Sequence, residues 1–397
     1  MRKSLGLYVL VISMLALSLV RCSVKEDVPA SSEEYTVNET KDTTEAAAAN
    51  EAQATEATAV EEYTTAQETT SQANETDENK IYVESEFAPL KKVVVAKSDL
   101  VAPTDTSMLG FLPKETIERA TSLGTLLSVG DPEKQKKWEQ ERLDLIAVLE
   151  KYGVEILRPR DLTEYEIESG KEHGVGNMFV RDPFFTIGPY VIEGSIRLQH
   201  RTNEVLPVRD ILTSQVYGTN AIYVAVPRAD TSAGPNSDAG PFLEGGDVIV
   251  YNKNVFVGNS GRASNTAGVQ WLKQLLEPQG YTVTEVKLTP DVLHLDCAMS
   301  LVREGLMIVS EEAFVDGVPE IFDGWDKIKV DPEQIKYLAL NGLPIDDKTY
   351  ITDYMFKDTI GGELEKRGIT VEYVHFDISR SYGGSFRCST QPLLRAW

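Results

Sequence analysis

Residues that could hold a transition metal or build a disulfide framework are scarce in this chain of 397 residues, which has four histidines and three cysteines. His173, His200, His294 and His375 show no metal-ligand spacing with one another or with the cysteines, so no metal is indicated, and no organic cofactor either. The cysteines are Cys22, Cys297 and Cys388. If Cys22 is modified, the other two could pair, but each sits inside a motif described below and they read better as one reactive thiol and one buried one. Basic residues are outnumbered 39 to 62, for a net charge of −23. Large apolar side chains are almost missing from Ser23 to Lys80, a stretch of Thr, Glu, Ala, Ser and Asn with fifteen acidic residues against three lysines. Such a segment cannot bury enough surface to offset the entropy of ordering it, and it is expected to be a disordered tether.

Ahead of that tether, Arg2 and Lys3 precede an apolar stretch from Leu5 to Val20, the layout of a secretory signal. The stretch is short for a membrane span, which takes about 20 residues. It ends in Leu19-Val20-Arg21-Cys22, which resembles a lipoprotein cleavage box, with Cys22 as the acylated residue; Arg21 departs from that pattern, and an uncleaved anchor or plain secretion are the alternatives. All three place the rest of the chain outside the cytoplasm, with contact to a membrane through the N-terminal anchor only. Residues 1–22 are thus read as leader or anchor, 23–80 as linker and 81–397 as a single catalytic domain. With the −12 of the linker and the +3 of the leader set aside, that domain carries −14, which argues against nucleic acid and for a cationic or small-molecule substrate.

Within the domain, apolar runs pair across turn formers: 184–187 with 191–192 over Gly188-Pro189, 248–251 with 255–257 over Asn252-Lys253-Asn254, and 301–302 with 306–309 over Glu304-Gly305. Helical periodicity appears at 138–152, 266–276 and 354–367, each followed by glycine and a strand. Strand pair, helix, strand, repeated about five times, suggests a radial α/β architecture; a doubly wound parallel sheet is the competitor, and the hairpins count against it.

Four segments at hairpin ends carry charged or nucleophilic groups beside glycine or a turn. They are Arg181-Asp182-Pro183-Phe184, Glu244-Gly245-Gly246-Asp247, His294-Leu295-Asp296-Cys297 and Gly383-Gly384-Ser385-Phe386-Arg387-Cys388. Each has a bland reading as turn, solvated acid or packed core. Together, one cysteine, one histidine and several carboxylates suit displacement at a guanidinium carbon. Two carboxylates can grip the planar cation, a thiolate can attack its carbon, and a histidine can serve the departing amine. His294 and Asp296, two apart, would share a face of a strand, while Cys297 would turn to the other side as a packing residue.

Taken in order, the four motifs resemble the guanidino-group-modifying superfamily of amidinotransferases, arginine deiminases and dimethylarginine hydrolases, and the similarity covers nearly all of residues 81–397. The resemblance implies a pentein fold, a five-bladed ββαβ propeller. It implies Cys388 as nucleophile, His294 as general acid and base, Glu244 as the carboxylate that orients it, Asp182 and Asp296 as the guanidinium clamp, and Asp247 as a further substrate contact. Arg262 resembles a carboxylate-binding arginine of the deiminases, with Arg197, Arg201 and Arg387 as similar cases. The segments 181–193, 264–272 and 383–388 are similar to amidinotransferases, Glu244-Gly245-Gly246-Asp247 and Ser389-Thr390-Gln391-Pro392 to the hydrolases. The first expectation is an amidinotransferase with an arginine-like donor and an amine acceptor. A deiminase-like hydrolase is the alternative, and an arginine- or peptide-binding surface protein without activity the third.

Overall fold

The structure is a computed structural model that describes residues 80–105, 123–234 and 237–397. The expected leader, Cys22 and the linker up to residue 79 lie outside the described residues, and the folded unit falls within Glu75–Trp397. Among the described residues no helix is long and apolar enough to cross a membrane.

Five three-stranded sheets repeat one plan, in which a first strand pairs antiparallel with the middle strand and the middle strand pairs parallel with the third. Blade one is Thr390–Arg395, Leu90–Val95 and Glu155–Leu157; blade two is Phe184–Ile187, Tyr190–Glu193 and Ile222–Ala225. Blade three is Val248–Tyr251, Asn254–Asn259 and Thr282–Lys287; blade four is Met299–Arg303, Leu306–Val309 and Asp326–Lys329. Blade five is Leu343–Pro344, Thr349–Asp353 and Thr370–Val374. First strands are buried along nearly their whole length, as the continuous apolar runs require, whereas third strands such as Ile222–Ala225 face outward.

Five core clusters each fill the gap between neighbouring blades, and a small sixth joins Val101, Leu162 and Val175. Ile192 packs with Val250 and Val257, Ile249 with Met299 and Met307, Ile308 with Tyr350, Ile351 with Val93, and Val94 with Phe184. Five contacts around five blades close a ring. The doubly wound alternative is excluded, because each first and middle strand meet antiparallel.

Helices cross over where the periodicity places them, over Pro132–Lys151 in blade one and Thr266–Leu276 in blade three. Asp131 caps the first by accepting from Lys134 N (3.1 Å), with Pro132 as its first residue; Asn265 caps the second by accepting from Gly268 N (3.0 Å). Two expectations differ. The segment 354–367 is a 3-10 turn, a π turn Lys357–Gly361 and a short helix Gly362–Lys366, with Gly361 tight against the Tyr373 ring. Blade four replaces its helix with two short 3-10 turns around Gly317-Val318-Pro319. Phe322 and Trp325 (ring centroids 5.0 Å apart) fill the space.

Candidate functional site

Every predicted site motif lies immediately before the first strand of a blade. Asp182 precedes Phe184–Ile187, Glu244 and Asp247 precede Val248–Tyr251, His294 and Asp296 precede Met299–Arg303, and Cys388 precedes Thr390–Arg395. Because these strands stand side by side around the ring, side chains far apart in sequence meet at one end of it. Asp182, Glu244, Asp247, His294, Asp296 and Cys388 are all buried, none more than 4% exposed.

Glu244 Oε2 accepts from or shares a proton with His294 Nε2 at 2.8 Å, and its other oxygen accepts from Arg197 N at 2.9 Å. On the opposite side of the ring, His294 Nδ1 lies 3.8 Å from Asp182 Oδ1. Gly246 N donates to that same Asp182 oxygen (3.0 Å), and a Cβ at Gly246 would come within 2.7 Å of both Asp182 Oδ1 and His294 Nδ1. Only glycine lets the backbone pass between them. His294 and Asp296 do not share a strand face as the sequence suggested; Leu295–Cys297 is a 3-10 turn that brings both inward.

Cys388 is placed by its backbone. Its N–H donates to Asn341 Oδ1 (3.1 Å), and its carbonyl accepts from Val180 N (3.1 Å) and Arg181 N (3.2 Å). Its sulfur lies 3.9 Å from Asp296 Oδ2. The preceding loop runs so close to Phe179 that a Cβ at Gly384 would meet the ring at 2.3 Å. Asn341 occupies in blade five the place that charged residues occupy elsewhere. The sequence reading missed it because asparagine before a turn carries no chemical signal; its position ahead of the first strand was the available clue.

Electrostatics separate the roles. Burial first, and then the charges of Asp296 and Asp182, push the Cys388 thiol well above its ordinary value, so it is neutral before a cation arrives. For His294 burial alone would depress the imidazole, but Asp182, the Glu244 hydrogen bond and Asp247 outweigh it and lift the ring to about 10. Burial likewise disfavours ionised Asp182, yet His294 and Arg201 hold it below the usual carboxylate range. The resting site thus holds a Cys388 thiol, a His294 imidazolium and an ionised Asp182.

The His294 proton gives a pH dependence of stability. A group with a raised folded-state value stabilises fully below its unfolded value of 6.5 and loses that contribution as pH climbs through about 10. Denaturant titrations are expected to show stability falling between pH 7 and 10, by no more than about 1.4 kcal/mol per pH unit from this group. His294→Asn should flatten that slope. An unchanged slope in the variant would mean that the ring is not protonated in the fold.

Other candidates part company. Asp247, expected to touch substrate, has its two oxygens on Leu295 N (3.0 Å) and Ser264 N (3.1 Å) and acts as a brace between two motifs. Burial, foremost, lifts it to about 7. Arg201 donates to Asp182 Oδ2 (2.9 Å) and to both oxygens of Glu204 (2.9 and 2.7 Å), a buried triad in which burial pushes Glu204 up to about 7. Arg197 is held by the Ala263 carbonyl (2.9 Å) and Asp238 (2.6 Å), and Arg387 by Asp296 and Glu86. Arg262 is exposed, two residues from Ser264, whose Oγ accepts from Glu244 N (3.0 Å). Cys297 is buried in the cluster between blades three and four, as expected of a packing residue, with its sulfur 3.4 Å from Asp296 Oδ1. One ligand atom each from Asp182, Glu244 and His294 falls within 4.8 Å, so a metal ion would have to displace the imidazolium proton to use this trio.

The family described as N,N dimethylarginine dimethylhydrolase, eukaryotic, matches residues 133–395. The chain belongs to that family. It is therefore one of the guanidino-modifying enzymes of pentein fold. A Bacillus subtilis protein, "Uncharacterized protein YkgA", is 29% identical over 268 residues, 66% of this chain and 86% of that one. The N(G),N(G)-dimethylarginine dimethylaminohydrolase of Streptomyces coelicolor is 41% identical over 66 residues, which cover 17% of this chain and a quarter of that enzyme.

Solved structures extend the fold across the superfamily. SxtG, an amidinotransferase from Microseira wollei in the saxitoxin biosynthetic pathway, superimposes with a TM-score of 0.63 at 20% identity, over 79% of this chain and 97% of its own. The inosamine-phosphate amidinotransferase StrB1 from Streptomyces griseus gives 0.63 at 19%, over 80% and 97%. The dimethylarginine dimethylaminohydrolase of Pseudomonas aeruginosa gives 0.54 at 17%, over 77% and 99%. At these identities the likeness is one of fold.

Proposed function

We propose that this chain hydrolyses the guanidino group of arginine or of an N-substituted arginine through a covalent amidino-cysteine. The observation that carries the reading is the neutral Cys388 thiol placed beside Asp296, with Asp182 and a protonated His294 facing the same end of the ring. The family match and the Streptomyces relative support hydrolysis over transfer. An exported hydrolase also needs only water as second substrate. Export itself, through an acylated Cys22 or another N-terminal anchor, is part of the proposal.

In the first half-reaction the substrate cation enters between Asp182 and Asp296, and its charge favours release of the Cys388 proton to solvent, His294 being already protonated. The thiolate forms a C–S bond to the guanidinium carbon. His294 gives its proton to the departing nitrogen, the C–N bond breaks, and ammonia or a small amine leaves. In the second, His294 takes a proton from water, which attacks the same carbon. The C–S bond breaks to return the thiol and a urea product. Glu244 holds the ring in place through both steps. Arg262, exposed near the Glu244 support, is the proposed partner for the substrate's carboxylate.

Transfer to an amine remains the second reading, favoured by the better superposition on the two amidinotransferases. The purified chain incubated with arginine and with dimethylarginine, then quenched in acid, separates them by mass spectrometry. Hydrolysis is expected to give citrulline without added amine, and a Cys388 adduct that carries the whole substrate skeleton. Transfer would give ornithine and a bare amidino adduct, with turnover only when glycine, lysine or another amine is supplied. No adduct and no product would remove both readings.

A further inference from the structure

Arg387 stands directly before the proposed nucleophile, 3% exposed, with every edge of its guanidinium in use. Nη1 donates to Asp296 Oδ2 at 3.0 Å. Nη2 donates to Glu86 Oε1 at 3.1 Å and to the Val248 carbonyl at 2.7 Å, and Nε to Glu86 Oε2 at 3.3 Å. Glu86, in the segment ahead of Leu90–Val95, also accepts from Val250 N at 3.2 Å. Two carboxylates far apart in sequence are thus joined through one guanidinium. The Asp296 oxygen that Arg387 holds is the one that lies 3.9 Å from the Cys388 sulfur.

We propose that Glu86 and Arg387 are positioning residues for the thiol chemistry: the buried chain Glu86–Arg387–Asp296 fixes which Asp296 oxygen faces Cys388 and offsets the charge on that oxygen. A free, unopposed carboxylate at that distance would hold the thiol protonated more strongly, and would be free to rotate. The bond from Nη1 to Oδ2 opposes both, and the two-bond fork that Nε and Nη2 make with Glu86 fixes the guanidinium plane from which that bond is given. Neither residue needs to touch substrate. Glu86 in turn keeps Arg387 from moving toward the site, and it is the buried carboxylate on which the charges of Arg387, Arg181 and Arg395 all act. The groups that act on the Cys388 thiol are Asp296, Asp182 and Arg387; Arg142 and Cys297 also interact with it. Arg387 is a cation that opposes the two carboxylates.

This inference rests on Cys388 as the reactive thiol, yet its test does not require turnover. The full chain is alkylated with iodoacetamide across a pH series, and the rate at the Cys388 peptide is followed by mass spectrometry, apart from Cys297 and Cys22. Arg387→Met is expected to move the alkylation midpoint up by about one pH unit or more, a tenfold slower reaction at a fixed pH below it. Arg387→Lys should recover most of that shift. Glu86→Gln should move the midpoint down, because the cation then acts unopposed. A merely structural role would shift Arg387→Met and Glu86→Gln in the same direction, and that outcome, or superimposable profiles, overturns the proposal. Should Arg387→Met fail to fold, a Glu86→Gln midpoint that stays in place or rises is sufficient to overturn it. Loss of turnover in Cys388→Ser is a separate readout, so failure of the enzyme reading and failure of this one are told apart.

Discussion

Cys388→Ser is expected to leave less than about a thousandth of the turnover with arginine-type substrates, the scale of loss when a covalent nucleophile is removed. The physical reason is ionisation. Asp296 and Asp182 keep the thiol neutral in the empty site, and a cation docked between them can shift a thiol across neutral pH. An alcohol starts too far above that range for the same charge to ionise it. The exchange is nearly isosteric, and the backbone bonds to Asn341, Val180 and Arg181 do not depend on the sulfur. The melting temperature should therefore stay close to the parent's while kcat collapses. A serine variant with near-full activity would end the covalent mechanism.

Asp182→Asn is expected to fail in a different way, through binding, protonation and stability at once. The carboxylate accepts from Arg201 and Gly246 N, and its charge is the largest of those that raise His294. Removing one partner of a buried ion pair costs on the order of 3–5 kcal/mol, moderated here because Glu204 still holds Arg201 through two hydrogen bonds. Capture of a guanidinium should weaken by about 100-fold or more in kcat/KM, and competition by a neutral urea analogue should hardly change. The alkaline limb of the pH profile should also move down, since the imidazolium loses its main neighbour. Equal losses for cation and urea would show that Asp182 supports the fold and does not grip the substrate.

How much of this was readable beforehand depended on whether a residue's chemistry declares itself. Asp182, Glu244, His294 and Cys388 stood out because acid, base and thiol sit beside glycines or turns at hairpin ends, and the propeller places those ends together. Asn341 performs an equivalent placement with a neutral side chain and left no trace. Asp247 looked like its neighbours but is spent on two backbone N–H groups, a distinction only geometry makes. Glu86 lies outside every motif and reaches the site through Arg387, across a sequence distance no local pattern spans. The five-fold plan was legible from hairpin spacing. The missing helix of blade four was not, because aromatic packing around Phe322 and Trp325 replaces periodicity there.

Blade one is stitched from both ends of the folded unit, with Leu90 paired to Arg395 and Val95 to Thr390. The proposed nucleophile, Cys388, is separated from that closing strand by a single residue. Blades two to five on their own lack that residue, so a folding intermediate with those four formed would have its carboxylates and imidazole in place and nothing to attack with. Closing so long a loop is the slow part of such a topology. Regain of activity after denaturation should then trail the recovery of helix signal, which makes catalysis itself a clock for the last step of assembly.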